Sequence, residues 1–423
     1  MSNSALVRCA ASVLCLAACG DPTGPGSDTI TELPRALTVA ERTVIRDGNA
    51  FGLELMRQVA ARDERPNIVL SPLSASMALG MTLNGAGGGT FDAMRSTLGF
   101  AGLSQEQVNE AYRGLLDLLT NLDPQVRFDI ANSVWANRDV PFHEAFLQAV
   151  RTAFDARVES GDFANPATLT AINDWVKQNT EGLIERILDR LDPDMVAILI
   201  NAIYFDGAWT NRFDPAKTTR ADFRRADGRT VRVDMMNMSN VRLPMGGGAD
   251  YAAVELPYGG EAFSMVVVVP SGNTDARTLL RGLDRQRWEG ILQGLTVREV
   301  NQVSIPKFTL AFDSYLNDAL KAMGMGVAFR RGADFTRMSP IGDRLCIDYV
   351  RQKTYIEVDE RGTKAAAVTA VGIGVVSFTG LIADRPFVFA LRERLSGTIL
   401  FVGLVGDPTV REVDPPGLAS ECR

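Results

Sequence analysis

Few residues in this 423-residue chain could carry out catalysis unaided. His143 is the only histidine. No Gly-x-Ser-x-Gly elbow or His-Glu-x-x-His pair accompanies it, so neither an activated serine nor a catalytic zinc can be assembled around it. Its place beside Pro141 and Phe142, at the start of an amphipathic stretch, fits a surface or capping position. Asp189, Asp192 and Asp194 flank a proline turn and read as a solvated face. The glycine run of residues 84–90 (NGAGGGT) lacks the Lys-Ser/Thr of a phosphate cradle and follows a helix rather than a strand, so it reads as a helix-to-helix turn. No Cys-x-x-Cys or Cys/His cluster offers a metal site. The chain is therefore not read as an enzyme, and no metal or cofactor is expected.

The remaining chemistry is a peptide bond offered to another protein's catalytic group. Residues 358–384 (VDERGTKAAAVTAVGIGVVSFTGLIAD) connect two strand-like runs, 353–358 and 386–391. Connections of this length inside a compact domain are usually functional or disordered. Residues 363–376 hold one charge and no proline, and are otherwise small or β-branched, so the segment could enter a sheet as a strand. As a strand, 363–373 would present Thr363, Ala365, Ala367, Thr369, Val371 and Ile373 on one face and Lys364, Ala366, Val368, Ala370 and Gly372 on the other. An alanine-rich helix or mobile loop is the competing reading from composition.

Residues 360–369 (ERGTKAAAVT) resemble the hinge of a serpin reactive-centre loop. Residues 383–389 (ADRPFVF) and 397–403 (GTILFVG) resemble the same family's C-terminal signature. The resemblance extends over residues 39–408, with at least four motifs in serpin order. It implies an α+β fold of about nine helices around three β-sheets, with an exposed reactive-centre loop at 360–383. It also implies hinge roles for Glu360, Gly362, Thr363, Ala365, Ala366 and Ala367. Serpin-type inhibition is a suicide-substrate reaction. The protease serine attacks the loop, forms an acyl-enzyme, and is trapped when the cut loop enters the central sheet. Family spacing puts the scissile bond at Val376-Ser377, with Val375-Val376 or cleavage after Phe378 as alternatives. A small aliphatic residue before the bond suits an elastase-like target, and Phe378 a chymotrypsin-like or cysteine protease. The absence of Arg and Lys between Gly374 and Leu381 disfavours trypsin-like ones.

The elements that must position this loop follow in order. Residues 39–62 have helical apolar spacing. Residues 67–74 read as a short strand entering a helix at Pro72, with Ser71 as cap, and the resemblance sets Ser71 and Ser74 beneath the sheet centre. Residues 104–119 read as an amphipathic helix; the resemblance matches it to the helix that is basic in glycosaminoglycan-binding serpins, and since it offers only Arg113, heparin-type activation is not expected. A strand at 126–135 and helices at 142–154 and 166–180 precede the most apolar run, 195–205, read as a central strand buried on both faces. The resemblance places Asn201 where two strands open and Trp209 where the hinge enters. Strands follow at 230–235, 251–255, 263–269 and 300–305, with one helical stretch at 275–294. Gln352 stands where serpins commonly carry a histidine bonded to the asparagine matched by Asn201. An amide can keep such a lock without its pH sensitivity.

The N-terminus reads as an address. Arg8 precedes a short apolar run, and residues 16–20 (LAACG) resemble a bacterial lipobox, in which cleavage leaves Cys19 to be lipidated. An ordinary signal peptide cut nearby is the alternative. Residues 1–18 would be the signal, 19–35 a tether, 36–410 a single serpin domain and 411–423 a tail. Cys346 and Cys422 would remain, paired or as two free thiols. A hydrophobic fraction of 46% supports a large core, and the net charge of −7 disfavours nucleic acid as a partner. An exported, membrane-anchored monomer acting on a target serine protease is the preferred reading. A non-inhibitory serpin acting as a binding or chaperone-like module, and a structural or adhesive surface lipoprotein, are the alternatives.

Overall fold

The computed structural model describes residues 29–362 and 380–413. The chain opens with α1 (Val39–Ala60), β1 (Ile68–Leu70), α2 (Pro72–Leu83), α3 (Gly88–Thr97), α4 (Gln105–Thr120), β2 (Val126–Asn137), α5 (Glu144–Phe154), β3 (Arg157–Gly161), α6 (Pro166–Asn179) and β4 (Ala197–Gly207). A β-rich part follows: β5 (Thr219–Arg224), β6 (Thr230–Gly247), β7 (Tyr251–Tyr258), β8 (Phe263–Pro270), α7 (Ala276–Arg281), α8 (Arg285–Gln293), β9 (Thr296–Pro306) and β10 (Phe308–Tyr315). The chain then continues through α9 (Asn317–Leu320), β11 (Arg351–Val358), β12 (Gly380–Ile382), β13 (Phe387–Glu393), β14 (Ile399–Val405) and β15 (Glu412–Val413).

Local chemistry accounts for the boundaries. Thr38 and Glu41 form a reciprocal capping box on α1, which turns Val44, Phe51, Leu55 and Val59 inward. Ser71 caps α2 through the amide of Ser74, with Pro72 at the first helical position. The glycine run after α2 admits a neighbour. A Cβ on Gly87 would lie 2.7 Å from both carboxylate oxygens of Asp334, whose backbone oxygen accepts from the Gly87 amide at 2.8 Å. The expected single helix at 275–294 is two, because α7 ends at Gly282 and Asp284 caps α8 through the Arg287 amide. The strand expected at 230–235 runs on to Gly247, held by β9 along most of its length.

Three sheets form among the described residues. The largest has nine strands, ordered β1-β14-β13-β8-β7-β6-β9-β12 with β5 on β6, and the smaller ones are β11-β10-β15 and β3-β2-β4. The main core gathers under the large sheet against α1, α2 and α4. A second cluster, including Trp135, Ile172, Trp175, Ile198 and Ile200, forms where α6 crosses β4. The expectation of β4 buried on both faces is corrected. Burial alternates along it, with Ile198, Ile200 and Ala202 buried and Leu199, Asn201 and Ile203 only half-buried. The second face lines an open cleft, which an unbroken sheet would have filled.

Cys346 is held in a disulfide, so it is not a free thiol. Cys9, Cys15, Cys19 and Cys422 lie outside the described residues, as do the signal, most of the tether and most of the tail. Among the described residues no helix is long and apolar enough to cross a membrane, and no cluster of ligating side chains could hold a metal. His143 is exposed at the start of α5, and its side chain makes no capping bond.

Candidate functional site

β4 pairs only with β2, and β11 only with β10, among the described residues. Each therefore has one unpaired edge, and the two edges face each other across a cleft. Its upper part is lined by Ser71, Ser74, Ile203, Phe205, Thr354 and Ile356. Its lower part is a cavity of about 480 Å³ bounded by Leu199, Ile200, Val350 and Gln352. The C-terminal ends of both strands lie at the hinge, so they run parallel. A chain descending between them from Gly362 would be antiparallel to both.

The hinge start is fixed by several contacts. Gly362 bridges Ala208 and Asp359, antiparallel in each case. Its φ is +121°, and a Cβ there would lie 2.4 Å from the Gly207 carbonyl oxygen and 2.5 Å from the Trp209 nitrogen. No side chain is tolerated in that space or at that φ. Trp209 donates its indole N–H to the Asp359 carbonyl at 2.9 Å and its amide to Arg361 at 3.0 Å. It stacks on Tyr258 with 4.3 Å between ring centroids. Glu360 accepts from the Thr218 hydroxyl at 2.7 Å and pairs with Lys307 at 2.8 Å. Burial pushes the Glu360 carboxyl up, but the bonds from Lys307 and Thr218 outweigh it and hold the group below the usual range.

Below the hinge the structure separates two residues that the sequence suggests are locked together. Gln352 exchanges hydrogen bonds with the Ser71 backbone, accepting from N–H at 3.0 Å and donating to C=O at 2.9 Å. It makes none to Asn201, because Asn201 belongs to the other side of the cleft. Asn201 donates to Asn132 Oδ1 at 2.8 Å, and its own Oδ1 is buried with no hydrogen-bond partner among the described residues. Ser71 Oγ donates to the Leu400 carbonyl at 2.7 Å, and Ser74 Oγ makes a long bond of 3.4 Å to the Asn201 carbonyl. The structure thus brings Ser71, Ser74, Asn201 and Gln352 to the cleft, and Trp209, Glu360 and Gly362 to its upper end. Thr363, Ala365, Ala366, Ala367, Val376, Ser377 and Cys19 lie outside the described residues.

Asn132, Thr218, Lys307 and Tyr258 escaped the sequence reading as site residues. Lys307 stands between β9 and β10, and nothing local in the sequence links it to Glu360. Asn132 lies in a strand whose alternation hides one polar residue on the core face.

The profile described as "Serpin (serine protease inhibitor)" matches residues 46–408. Iripin-5 of Ixodes ricinus is 33% identical over 367 residues, covering 84% of this chain and 93% of that protein. Human neuroserpin is 31% identical over 373 residues, covering 85% and 90%. The native structure of the thermophilic serpin tengpin superposes with a TM-score of 0.79 at 31% identity, covering 89% of this chain and 96% of tengpin. Human thyroxine-binding globulin superposes at 0.80 and 25% identity, covering 88% and 100%. With a split sheet, a glycine-gated hinge and relatives matched along nearly their whole length, the chain belongs to the serpin family.

Proposed function

We propose that the protein is a suicide-substrate inhibitor of serine proteases with elastase-like or chymotrypsin-like specificity, and that the cleft between β4 and β11 receives its own cleaved loop. One observation carries the reading: the two registers that start at Gly362 agree. Continued antiparallel to β4 from the Ala208 bridge, residues 363–373 would pair with 207–197, the span of β4. Continued antiparallel to β11 from the Asp359 bridge, Thr369 would face Gln352 while also facing Asn201 on the other side. Its hydroxyl would reach the unpaired Asn201 Oδ1. Lys364 would fall between Asp206 and Glu357, on the solvent side. A descending strand would satisfy both free edges, each new hydrogen bond contributing about 0.5–1.5 kcal/mol net.

The protease is then carried along by its ester bond to the residue before the cut. Eleven residues of strand at about 3.3 Å each span roughly 36 Å, and displacement of the reacting atoms by about 1 Å already lowers rates a hundredfold. The trapped complex persists because hydrolysis is slow in the distorted site. Val376-Ser377 is the assigned bond. The small side chains at Thr363 and Ala365–Ala367 favour insertion over the non-inhibitory binding role that the likeness to thyroxine-binding globulin raises. Export, lipidation at Cys19 and anchoring in the cell envelope complete the reading.

Incubation with an elastase-type serine protease, followed by a denaturing gel, is the test. A stable adduct of inhibitor and protease is expected. Clean cleavage without adduct would point to the non-inhibitory reading, and no cleavage to a structural role.

A further inference from the structure

The disulfide at Cys346 joins it to a cysteine outside the described residues, where Cys9, Cys15, Cys19 and Cys422 all lie. The two ends of the chain approach it differently. The N-terminal side enters at the hinge pole, where the Ile30 amide donates to the Gly260 carbonyl at 2.7 Å and the Gly259 amide to Ala208 at 2.8 Å, beside Gly362. Cys346 lies at the other pole, five residues before β11 begins at Arg351.

The C-terminal side heads toward it. β15 runs parallel to β10, with Val413 opposite Phe312, and β10 runs antiparallel to β11, with Phe312 opposite Thr354. A chain leaving Val413 therefore descends together with β11 read backward from Thr354. Cys422 stands nine residues beyond Val413, and Cys346 eight residues before Thr354. Eight residues of descent, about 26 Å, and two strand spacings of crossing, about 10 Å, make a path of about 28 Å, within the roughly 30 Å that nine residues span. Pro415 and Pro416 have no amide to extend a ladder on β10, which frees the chain to leave that edge.

The bond falls where the inserted loop would end. Cys346 is half-buried in the wall of the lower cavity, with Leu345 and Ile347. Residues 345–350 form no strand, and the Ile347 amide is committed to the Ala328 carbonyl at 2.8 Å. Continued past Ile373, the register from Gly362 sets Gly374, Val375 and Val376 against Ile347, Cys346 and Leu345. Those last residues can pair only if the wall straightens as a continuation of β11.

We propose that Cys346 is bonded to Cys422, and that the bond is a redox-sensitive clasp that pins this wall and holds back the last step of loop insertion. The pairing stands by itself, whereas its consequence rests on the inhibitor reading. A dithiol of the thioredoxin class opens the clasp by exchange: the dithiol is oxidised to a disulfide, and its two electrons and two protons leave Cys346 and Cys422 as thiols. The cut loop then seats as far as Val376.

Peptide mapping of the unreduced full-length chain by mass spectrometry should find the 346–422 pair, and Cys346 joined to any other cysteine would overturn the assignment. Three forms test the consequence: oxidised wild type, wild type reduced with dithiothreitol and then freed of it, and Cys422→Ser. Each is nicked in the loop by a zinc metalloprotease, which forms no acyl-enzyme, and melted. Nicking should raise the unfolding temperature of all three, by about 3 °C more in the two forms without the disulfide. Equal rises would overturn the clasp alone. No rise in any form would overturn the clasp and, with it, the insertion on which the inhibitor reading depends. With an elastase-type protease, the ratio of adduct to nicked inhibitor should be about threefold higher without the disulfide. Nicking without adduct in every form would remove the inhibitor reading, and the melting comparison would still decide the clasp.

Discussion

The carboxamide of Gln352 and the backbone of Ser71 exchange two hydrogen bonds across the floor of the cleft, at 3.0 Å and 2.9 Å. Both residues are buried, so removal of the amide strands the Ser71 N–H, while the Ser71 carbonyl keeps its bond from the Ala75 amide at 3.1 Å. Gln352→Leu should lower the stability of the uncleaved protein by about 2 kcal/mol, measured by urea unfolding. A variant within about 0.5 kcal/mol of wild type would mean that water replaces the amide without loss.

The Glu360 anchor predicts a pH dependence of defined sign. Lys307 and Thr218 depress the folded-state pKa of Glu360. The carboxylate's contribution is therefore full above the unfolded value of about 4.3 and is lost as pH falls through the folded one. Wild type should lose stability relative to Glu360→Gln on acidification below about pH 4, while the difference between them stays flat from pH 6 to 8. Thermal melts of both proteins across that range check it, and parallel curves would sink the assignment.

Thr363 lies on the face that the proposed insertion buries. Thr363→Arg would force an unpaired charge against Val358 and Gly207, a cost too large to be recovered by neighbouring hydrogen bonds. The variant should still be cleaved by the protease but yield mostly nicked inhibitor instead of adduct. An undiminished adduct fraction on a denaturing gel would refute the face assignment.

Thr369 carries a sharper version of the same idea. Thr369→Val keeps the shape and removes the hydroxyl proposed to reach Asn201 Oδ1, which has no hydrogen-bond partner among the described residues. The uncleaved variant should melt with wild type. After nicking, wild type should gain heat resistance and the variant should gain less, by about 1 kcal/mol of unfolding free energy. Equal gains would place the inserted strand in another register.

At the hinge only the first residues can be compared: Gly362 was legible because no other residue takes its φ of +121° against the Gly207 carbonyl, whereas the small residues from Thr363 onward lie outside the described residues. β4 was recognisable from its apolar run, but its half-exposed face was not. Apolarity reports what a strand can bury, and whether a neighbour is present depends on a register fixed far away. The Gln352 partner was misread for the same reason. An amide bonds to whatever backbone is nearest, and nothing between positions 71 and 352 in the sequence records their distance. The break between α7 and α8 was locally encoded by Gly282 and Asp284, and the strong helical composition on either side masked it.

Trp209 also gives the molecule a built-in optical gauge. Its indole is hydrogen-bonded to Asp359 and stacked on Tyr258 within the residues that must move or be covered if a ribbon enters beside Gly362. With only four tryptophans in the chain, its emission can be isolated by replacing the other three with phenylalanine. Loop closure would then be followed in real time by stopped-flow fluorescence, without any label that could obstruct the passage it reports.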